Sequence, residues 1–296
     1  MNSLAENQIN KFISNKILIN RKILSEAFNI RCEKICLENN EFCVAKYYVK
    51  KNNNFNSIVS ETKSLNYLSK KFPNLFPKIQ YKSSDLLIID FIKHNNIKNK
   101  NYQILIAKNI LKLHAVSNDK YGFNFDAQIG GLKQSNTFES NWISFFREKR
   151  LNMIFEKINE TNKLPNFINK KIEKLLKDLE NRLPKNPKIS LLHGDLWSGN
   201  ILFNDGDLVS FIDPGIYFAH NELEISYLKW FNFIDEKFID YYSNIIKIDK
   251  SYFEYEAIYQ LYFNLLNVYL WSRDYIKNTE FLLNKIYQTH GLGSDK

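Results

Sequence analysis

Apolar and polar residues alternate with a period of two over much of the N-terminal third of the chain, which is the pattern of half-buried strands. The stretch from Lys22 to Val49 is rich in Ile, Val, Phe, Tyr and Cys and contains a turn signal at Asn39-Asn40, so it predicts two or three antiparallel strands. Another pair of strands is predicted at Lys78 to Tyr81 and Leu86 to Phe91. A helical period from Ser57 to Leu68 lies between them. The chain therefore begins with a small antiparallel sheet and a helix.

Beyond the predicted sheet, the period of the apolar positions changes to that of helices. The segment from Tyr121 to Arg150 begins as a Gly-containing loop and is predicted to become helical after Thr137 or Ser140, either of which would cap the helix. Further helices are predicted near Tyr102 to His114, Ile168 to Arg182, Glu222 to Phe233, Phe238 to Ile246, Phe253 to Trp271 and Thr279 to His290. Together these patterns predict an α+β protein, with a sheet-rich lobe over residues 1–91 and a larger helical lobe over residues 92–296.

Composition and charge narrow the class of protein. With 296 residues, of which 44% are apolar and 15% aromatic, the chain is long enough to bury a core. The net charge of +9 would suit nucleic acid or an anionic membrane. The lysines, however, are spread along solvated helix faces among acidic residues, so we expect neither partner. The chain has no apolar run of membrane-spanning length and no secretory pattern, which favours a cytoplasmic protein.

The three cysteines, Cys32, Cys36 and Cys43, all fall in one N-terminal segment. They have no nearby His to complete a zinc site, and the even spacing of the first two suits one face of a strand. We therefore expect packing in a reduced protein rather than disulfide or metal chemistry.

Polar side chains flank a predicted hairpin in the segment Leu191 to Gly215. Two apolar runs surround the turn signal Asp205-Gly206, so they predict paired strands whose outer ends meet at one edge. Asp195 and Asn200 precede the first strand and Asp213 follows the second, so we expect their side chains to converge. Mg²⁺ takes oxygen ligands, commonly one or two from the protein, so Asn200 with Asp213 would suffice. Asp195 is then free to act as a base.

Lys46 and Glu61 form a second candidate group. Lys46 lies on the last of the first three predicted strands, and Glu61 lies on the inward stripe of the helix that follows. A buried carboxylate is costly without a cationic partner, and Lys46 is the natural candidate. The alternative is a Glu61 at the edge of the stripe, with its carboxylate in solvent.

Both groups resemble parts of the kinase-like phosphotransferases. His193-Gly194-Asp195 stands where protein kinases have HRD, with Asn200 five residues after Asp195, and Asp213-Pro214-Gly215 stands where they have DFG. The order Val44-Ala45-Lys46 resembles the motif of the β3 lysine. The resemblance implies a bilobal protein-kinase-like fold in which Lys46, oriented by Glu61, holds ATP phosphates. The hinge would then follow the last strand of the small lobe, with the backbone C=O of Asp90 and N–H of Ile92 at the adenine edge.

A longer match is similar to the fructosamine kinase (ketosamine kinase) family. It comprises HGDLWSGN, then Asp213-Pro214, Tyr217-Phe218 and the run from His220 to Glu224. The resemblance implies Mg-ATP-dependent phosphorylation of a sugar hydroxyl on a ketosamine, which destabilises the adduct and releases the amine. Asp195 would accept the hydroxyl proton or orient the hydroxyl. Substrate residues implied by the match are Trp197, as a wall for the sugar or its amine-bearing stem, and His220, Glu222 and Glu224. The two glutamates either attract the substrate's cationic amine or cap and orient the next helix.

One departure from the family concerns the nucleotide loop. Ser25 to Asn29 occupies the position of a Gly-containing loop and has no glycine, which limits close approach of the backbone to phosphates. Either Ser25 and backbone amides replace the glycine or nucleotide binding is weak. Val268 and Trp271 also depart from the family pattern. The alternatives are a kinase of another small alcohol or amino sugar, such as choline or homoserine, and a pseudokinase that acts as a binding module. Nucleic-acid binding from charge alone ranks last.

Overall fold

The computed structural model describes residues 3–52 and 54–289. As far as the chain is described, it divides into two compact units. The first unit consists of Met1–Leu105, Phe125–Lys133 and Gly199–Ile216, and the second of Ile106–Asn124, Gln134–Ser198 and Tyr217–Lys296. The first unit therefore takes in the predicted sheet together with a short segment from late in the sequence that carries Asn200 and Asp213.

The first part of the chain forms two helices and five strands. Their bounds are α1 Ser3–Phe12, β1 Leu18–Ala27, β2 Ile30–Leu37, β3 Phe42–Tyr48, α2 Ser57–Lys71, β4 Ile79–Lys82 and β5 Leu86–Asp90. The strands make one antiparallel sheet in the order β1-β2-β3-β5-β4. This confirms the predicted N-terminal sheet and the helix between its strands.

The rest of the described chain is mainly helical, with short strand pairs. Its elements are α3 Tyr102–His114, β6 Ala127–Ile129, β7 Leu132–Gln134, α4 Trp142–Phe146, α5 Asn152–Thr161, α6 Asn166–Asp178, β8 Ile189–Leu192, β9 Ile201–Asn204, β10 Asp207–Phe211, β11 Tyr217–His220, α7 Asn221–Trp230, α8 Glu236–Ser243, α9 Tyr252–Leu270 and α10 Ile276–Thr289. The α+β class is confirmed. Of the predicted helices, only the last reaches beyond the described residues, at His290. Among the described helices, none combines the length and apolarity that a membrane crossing requires.

One face of the five-stranded sheet is closed by α1. Ala5 and Ile9 of this helix, and Ile13 directly after it, pack with strand residues such as Ala45 and Ile88, all of them buried. Side chains of a strand alternate between faces, so neighbours of Ala45 on β3 point to the other face. Lys46 is one of them, and it therefore lies on the face opposite to α1.

The second unit is built around α9. Nearly every residue of this helix is buried, from Tyr252 to Val268, which explains why its sequence is apolar on all sides. Two of its polar side chains donate within the unit: the Asn264 amide nitrogen to Thr279 Oγ1 at 2.7 Å, and the Asn267 amide nitrogen to the carbonyl of Phe263 at 2.8 Å. The buried helix gives the shorter helices of this unit a common surface to pack against.

The predicted hairpin turn is present in the first unit. Asn204 pairs with Asp207, so Asp205 and Gly206 form a two-residue turn, with φ of 51° and 96°. Two successive positive φ values are what a two-residue hairpin of this twist requires. At the open end, the Asn200 carbonyl accepts from the N–H of Ile212 at 3.0 Å, which places the residues before β9 beside those after β10.

The segment from Tyr121 to Arg150 differs from its prediction. The predicted Gly-containing loop holds the β6–β7 pair, which turns at Gly130 and Gly131, both with positive φ, and the helix is capped at neither Thr137 nor Ser140. The helix begins later, at α4, because the Asn141 side chain accepts from Ser144 N at 2.8 Å. The glycine pair was visible in the sequence, but strands of three residues are too short to show a period.

Replacing Gly206 by alanine should destabilise the hairpin. The new Cβ would lie 3.2 Å from Asn99 Cβ on a backbone with φ of 96°, a conformation that side chains rarely adopt. We expect a loss of about 1–3 kcal/mol in the free energy of unfolding, measured by urea denaturation. The exposed side chain of Asp207 offers a control: Asp207→Ala should change stability by less than about 0.5 kcal/mol. Equal stability of Gly206→Ala and the wild type would contradict the assigned turn.

Candidate active site

Lys46 is held by two carboxylates within the first unit. On β3 it lies across from Cys32 on β2 and Leu87 on β5. Its ammonium donates to Glu61 Oε1 at 2.6 Å and to Asp213 Oδ1. The Lys46 and Glu61 side chains are each only 8% exposed, so Glu61 does not reach solvent. The structure thus brings together residues from a strand, the next helix and a segment 167 residues further along the chain.

The electrostatics of this group keep the lysine charged. Burial alone would lower the pKa of Lys46, because it disfavours the ammonium form. The nearby carboxylates of Asp213 and Glu61 outweigh burial and raise the pKa of Lys46 above its ordinary value. A permanently charged donor aimed at one place is suited to bind an anionic ligand such as phosphate.

Asp213 has an unusual backbone conformation, and the chain that follows it passes close to β6. Its φ is 57°, in the left-handed region that few residues other than glycine adopt, and such conformations cluster at functional sites. Two residues on, a Cβ at Gly215 would lie only 2.5 Å from the carbonyl oxygen of Gln128 on β6. The chain after Asp213 can therefore pass this close to β6 only with glycine there. The Asp213 side chain remains 40% exposed.

Asn200 stands beside Asp213 at the open end of the β9–β10 hairpin. It ends the short 3-10 turn Ser198–Asn200 and is buried. Its backbone bond to Ile212 N leaves the next residue, Asp213, adjacent to it. An amide oxygen and a half-exposed carboxylate are hard oxygen donors of the kind that Mg²⁺ uses together with phosphate and water. The donor set therefore fits Mg²⁺.

The loop that carries Asp195 belongs to the second unit and is anchored by Glu224. The Glu224 carboxylate accepts from the backbone N–H of His193 at 3.3 Å and of Gly194 at 2.8 Å. It also lies 3.1 Å from His114 Nε2. Burial alone would raise the pKa of Glu224, but the bonds from His114 and Gly194 outweigh it and lower the pKa below its ordinary value. An ionised, acceptor-only carboxylate can bind both amides at once.

Asp195 itself is partly exposed and contacts a tyrosine. The Tyr227 hydroxyl donates to Asp195 Oδ1 at 3.4 Å. Burial, and then the Asp195 charge, raise the pKa of Tyr227 well above its ordinary value, so the hydroxyl keeps its proton. Tyr227 therefore restricts the rotation of the Asp195 carboxylate. Sequence reasoning missed both Glu224 as an anchor and Tyr227, although their i, i+3 spacing on one helix was a signal that they share a face.

Of the predicted substrate residues, only Trp197 is exposed, at 38%. His220 and Glu222 are buried: His220 Nδ1 lies 2.9 Å from the Tyr259 hydroxyl, and Glu222 accepts from Asp249 N at 2.7 Å and from the Tyr255 hydroxyl at 2.5 Å. With Glu224 also engaged, these three side chains have no surface left for a ligand. The burial and internal bonding of Glu222 and Glu224 favour the alternative, in which these two glutamates cap and orient the next helix. A substrate role for His220, Glu222 and Glu224 stays a prediction.

The predicted hinge follows β5 in the first unit. The Asp90 carboxylate accepts from Gln80 Nε2 at 2.8 Å, so its side chain is turned toward β4. The carbonyl oxygen of Ile92 lies 2.8 Å from His94 Nδ1. Between them, the Phe91 ring lies under the ammonium of Lys34 at 3.7 Å. The adenine-binding role of the Asp90 C=O and Ile92 N–H stays a prediction.

The glycine-free nucleotide loop forms a tight turn. Ser25 to Ala27 end β1, and Phe28 and Asn29 make a two-residue turn with φ of 51° and 64°. Two bonds between the side chain of Asn29 and the backbone of Lys50, at 3.0 and 2.9 Å, hold the turn. A Cβ on Gly131 would come 3.0 Å from Phe28 Cβ. The hydrogen bonds of Asn29 therefore stabilise a turn whose two residues both have left-handed backbones without being glycine.

The burial of His220 predicts a specific dependence of stability on pH. Burial lowers the pKa of His220 from 6.5 to about 3. Between these two pH values His220 binds a proton in the unfolded chain but not in the folded chain, so stability falls as the pH drops from 6.5 toward 3. We expect the free energy of unfolding to be about 2–3 kcal/mol lower at pH 4.5 than at pH 7 because of this histidine. In urea unfolding, His220→Asn should lack this loss, so its stability deficit relative to the wild type should shrink at pH 4.5. A deficit of constant size at the two pH values would contradict a neutral His220.

Two named relatives share a large part of this sequence. A probable ketoamine kinase of Enterococcus faecium is 32% identical over 182 residues, which make up 60% of this chain and 65% of the relative. The chloroplastic protein-ribulosamine 3-kinase of Arabidopsis thaliana is 30% identical over 193 residues, 64% of this chain and 58% of that protein. The match thus spans less than two thirds of the length of each relative.

A similar fold is found in a crystal structure of a candidate fructosamine-3-kinase from Thermobifida fusca. The TM-score is 0.85, with 97% of this chain and 99% of that chain covered at 19% identity. At this identity the similarity concerns the fold, and it confirms the predicted kinase-like class. A family model described as fructosamine kinase matches residues 7–289. The chain therefore belongs to the fructosamine kinase family, as its HGDLWSGN motif predicted.

Proposed function

We propose that this chain is an ATP-dependent kinase that transfers phosphate to a sugar hydroxyl of ketosamines. The observation that carries the proposal is the buried ammonium of Lys46 between Glu61 and Asp213, since a fixed cation beside a metal-binding carboxylate is what phosphoryl transfer requires. Family membership supports the acceptor, because the relatives are named for ketoamines and for protein-bound ribulosamine. The reaction is a phosphotransfer to an alcohol group.

Each residue then has one task. Lys46 binds ATP phosphates, and Glu61 keeps it in place. The backbone C=O of Asp90 and N–H of Ile92 bind the adenine edge. Asp195 accepts the proton of the attacking hydroxyl, in the orientation that Tyr227 sets. Glu224 acts by positioning, since it fixes the two amides that precede Asp195.

Asn200 and Asp213 would hold Mg²⁺. The bound ion supplies positive charge that offsets the charge of the phosphates during transfer. Asp213 also accepts a hydrogen bond from Lys46, so this carboxylate would serve both the lysine and the metal ion.

The substrate is a ketosamine, free or attached to a protein. A phosphate on its sugar destabilises the adduct and frees the amine, so the activity amounts to deglycation repair. This role suits a protein of the cytoplasm, the compartment in which sugars and amines react with each other. The chemistry needs no nucleic acid and no membrane.

Replacing Asp195 tests the reaction directly. With Mg-ATP and fructoselysine or ribuloselysine, Asp195→Asn should lower ADP release by about 10²–10⁴-fold, because the hydroxyl loses its proton acceptor. The exposed carboxylate of Asp207 provides the matched control, and Asp207→Asn should retain activity. NMR of the product should place the phosphate on the sugar. Turnover by the wild type no greater than that of Asp195→Asn would refute the proposal, whereas turnover only with another alcohol or amino sugar would replace the acceptor.

A second candidate function, a pseudokinase module, is favoured by the glycine-free turn at Phe28-Asn29. Thermal unfolding with and without Mg-ATP, taken together with the turnover measurement, separates the two functions. Nucleotide at 100 times its dissociation constant should stabilise the wild type by about 2.7 kcal/mol. In Asp213→Asn, the added stabilisation that depends on Mg²⁺ should disappear, because a metal ligand is lost. A shift without turnover supports a nucleotide-binding pseudokinase, and no shift at all contradicts any role for ATP.

A further inference from the structure

A run of aromatic rings begins beside Asp195 in the second unit. Trp197 and Phe231 have ring centroids 6.0 Å apart, and Phe231 lies 4.8 Å from Trp230. Tyr227, whose hydroxyl contacts Asp195, packs on Phe231 at 5.2 Å. Trp197 is exposed, and Trp230 and Phe231 are residues of intermediate exposure. We call Trp197, Trp230 and Phe231 the aromatic face.

Carboxylates that the sequence suggested for an amine are not available in this unit. Glu222 and Glu224 are buried and bonded internally. Glu256 is also buried, and Lys229 Nζ lies 2.7 Å from one of its oxygens and Lys285 Nζ 3.7 Å from the other. The charge of Lys229, the cation nearest in sequence to the aromatic face, is thereby offset. An ammonium group brought close to Asp195 would meet rings rather than these acids.

The aromatic face also lies at the negative end of a helix. Helix α7 ends at Trp230, and Phe231 is its C-cap. The carbonyls of Tyr227, Leu228 and Lys229 accept from the N–H groups of Phe231, Phe233 and Asn232, so only the aligned peptide dipoles of the helix give this end a weak negative charge. The faces of aromatic rings are likewise negative and bind ammonium groups. The ring faces are therefore the main feature that favours a cation here, and the helix dipole adds to it.

We propose that Phe231, with Trp197, binds the protonated amine of the ketosamine through its ring face, and that this contact selects amine adducts over neutral sugars. The inference rests on the proposed function and deepens it. With the sugar hydroxyl at Asp195, the amine-bearing arm extends over the aromatic face, which begins two residues further along the chain. Phe231 is then a specificity-determining residue, and recognition of the amine needs no acidic side chain.

A pair of compounds that differ only in charge tests this assignment. One is 1-deoxy-1-butylaminofructose, a secondary ammonium ion, and the other is the neutral 1-O-butyl ether of fructose. Binding to the full chain is measured by calorimetry, and KM and kcat are measured with Mg-ATP. We expect the wild type to prefer the amine, and Phe231→Leu to weaken amine binding by about 2- to 30-fold, the range of a cation–π contact, because leucine keeps the apolar contact but lacks the ring face. Ether binding should change less than about twofold, because no cation–π contact is lost.

Matched variants complete the test. Phe281→Leu alters an exposed phenylalanine on α10 and should leave the affinity for both compounds unchanged. Asp274→Asn removes an exposed carboxylate next to Tyr275, whose ring lies 5.8 Å from Trp230, and it should leave amine binding intact. Equal affinity of the wild type for amine and ether, no effect of Phe231→Leu, or a loss in Asp274→Asn as large as that in Phe231→Leu would each overturn the assignment. Selective binding of the amine without phosphate transfer would uphold the aromatic site and refute the proposed kinase reaction. Phosphate transfer to both compounds with equal KM would support the kinase reaction and refute the aromatic site.

Discussion

The buried ammonium of Lys46 is the constraint around which the first unit is organised. A charged group on the inner part of a sheet is tolerated only if opposite charges and hydrogen bonds compensate its lost hydration. Glu61 supplies one partner from α2, and Asp213 supplies the other from a segment that follows the β9–β10 hairpin. The need to satisfy one lysine therefore joins a strand, a helix and a hairpin that are far apart in sequence.

The second unit also contains a buried charge, in this case a negative one. The buried carboxylate of Glu224 is compensated by His114 and by two backbone N–H groups of the loop before Asp195. The loop would otherwise leave these N–H donors unpaired. The bonds to Glu224 therefore satisfy the backbone donors and also hold the loop in place. Glu222, two residues earlier, is held by Tyr255 and Asp249 and secures the first turn of α7. Acidic residues that looked suited to a substrate thus serve the framework that carries Asp195.

The sequence predicted those elements whose signal lies in residues close together along the chain. The Asp205-Gly206 turn, the five strands and the amphipathic helices follow from turn chemistry and from periods of two and 3.6, and the structure has them. The β6–β7 pair was missed because three-residue strands carry no readable period, and the cap at Asn141 was missed because Thr137 and Ser140 are equally good capping types.

The sequence by itself determined the family and the set of chemically active residues, because the spacing of His193, Asp195, Asn200 and Asp213 is a property of the chain read in order. It did not determine which acids face solvent. Glu61, Glu222 and Glu224 have the same side chain, and only the tertiary structure decided that the first pairs with Lys46 while the others bind amides, hydroxyls and a histidine within the second unit. The physical reason is that burial and the choice of partner depend on elements distant in sequence, such as α3 and α9. The aromatic face at the end of α7 has the same origin, since Trp197 and Phe231 become neighbours only when the loop and the helix have packed.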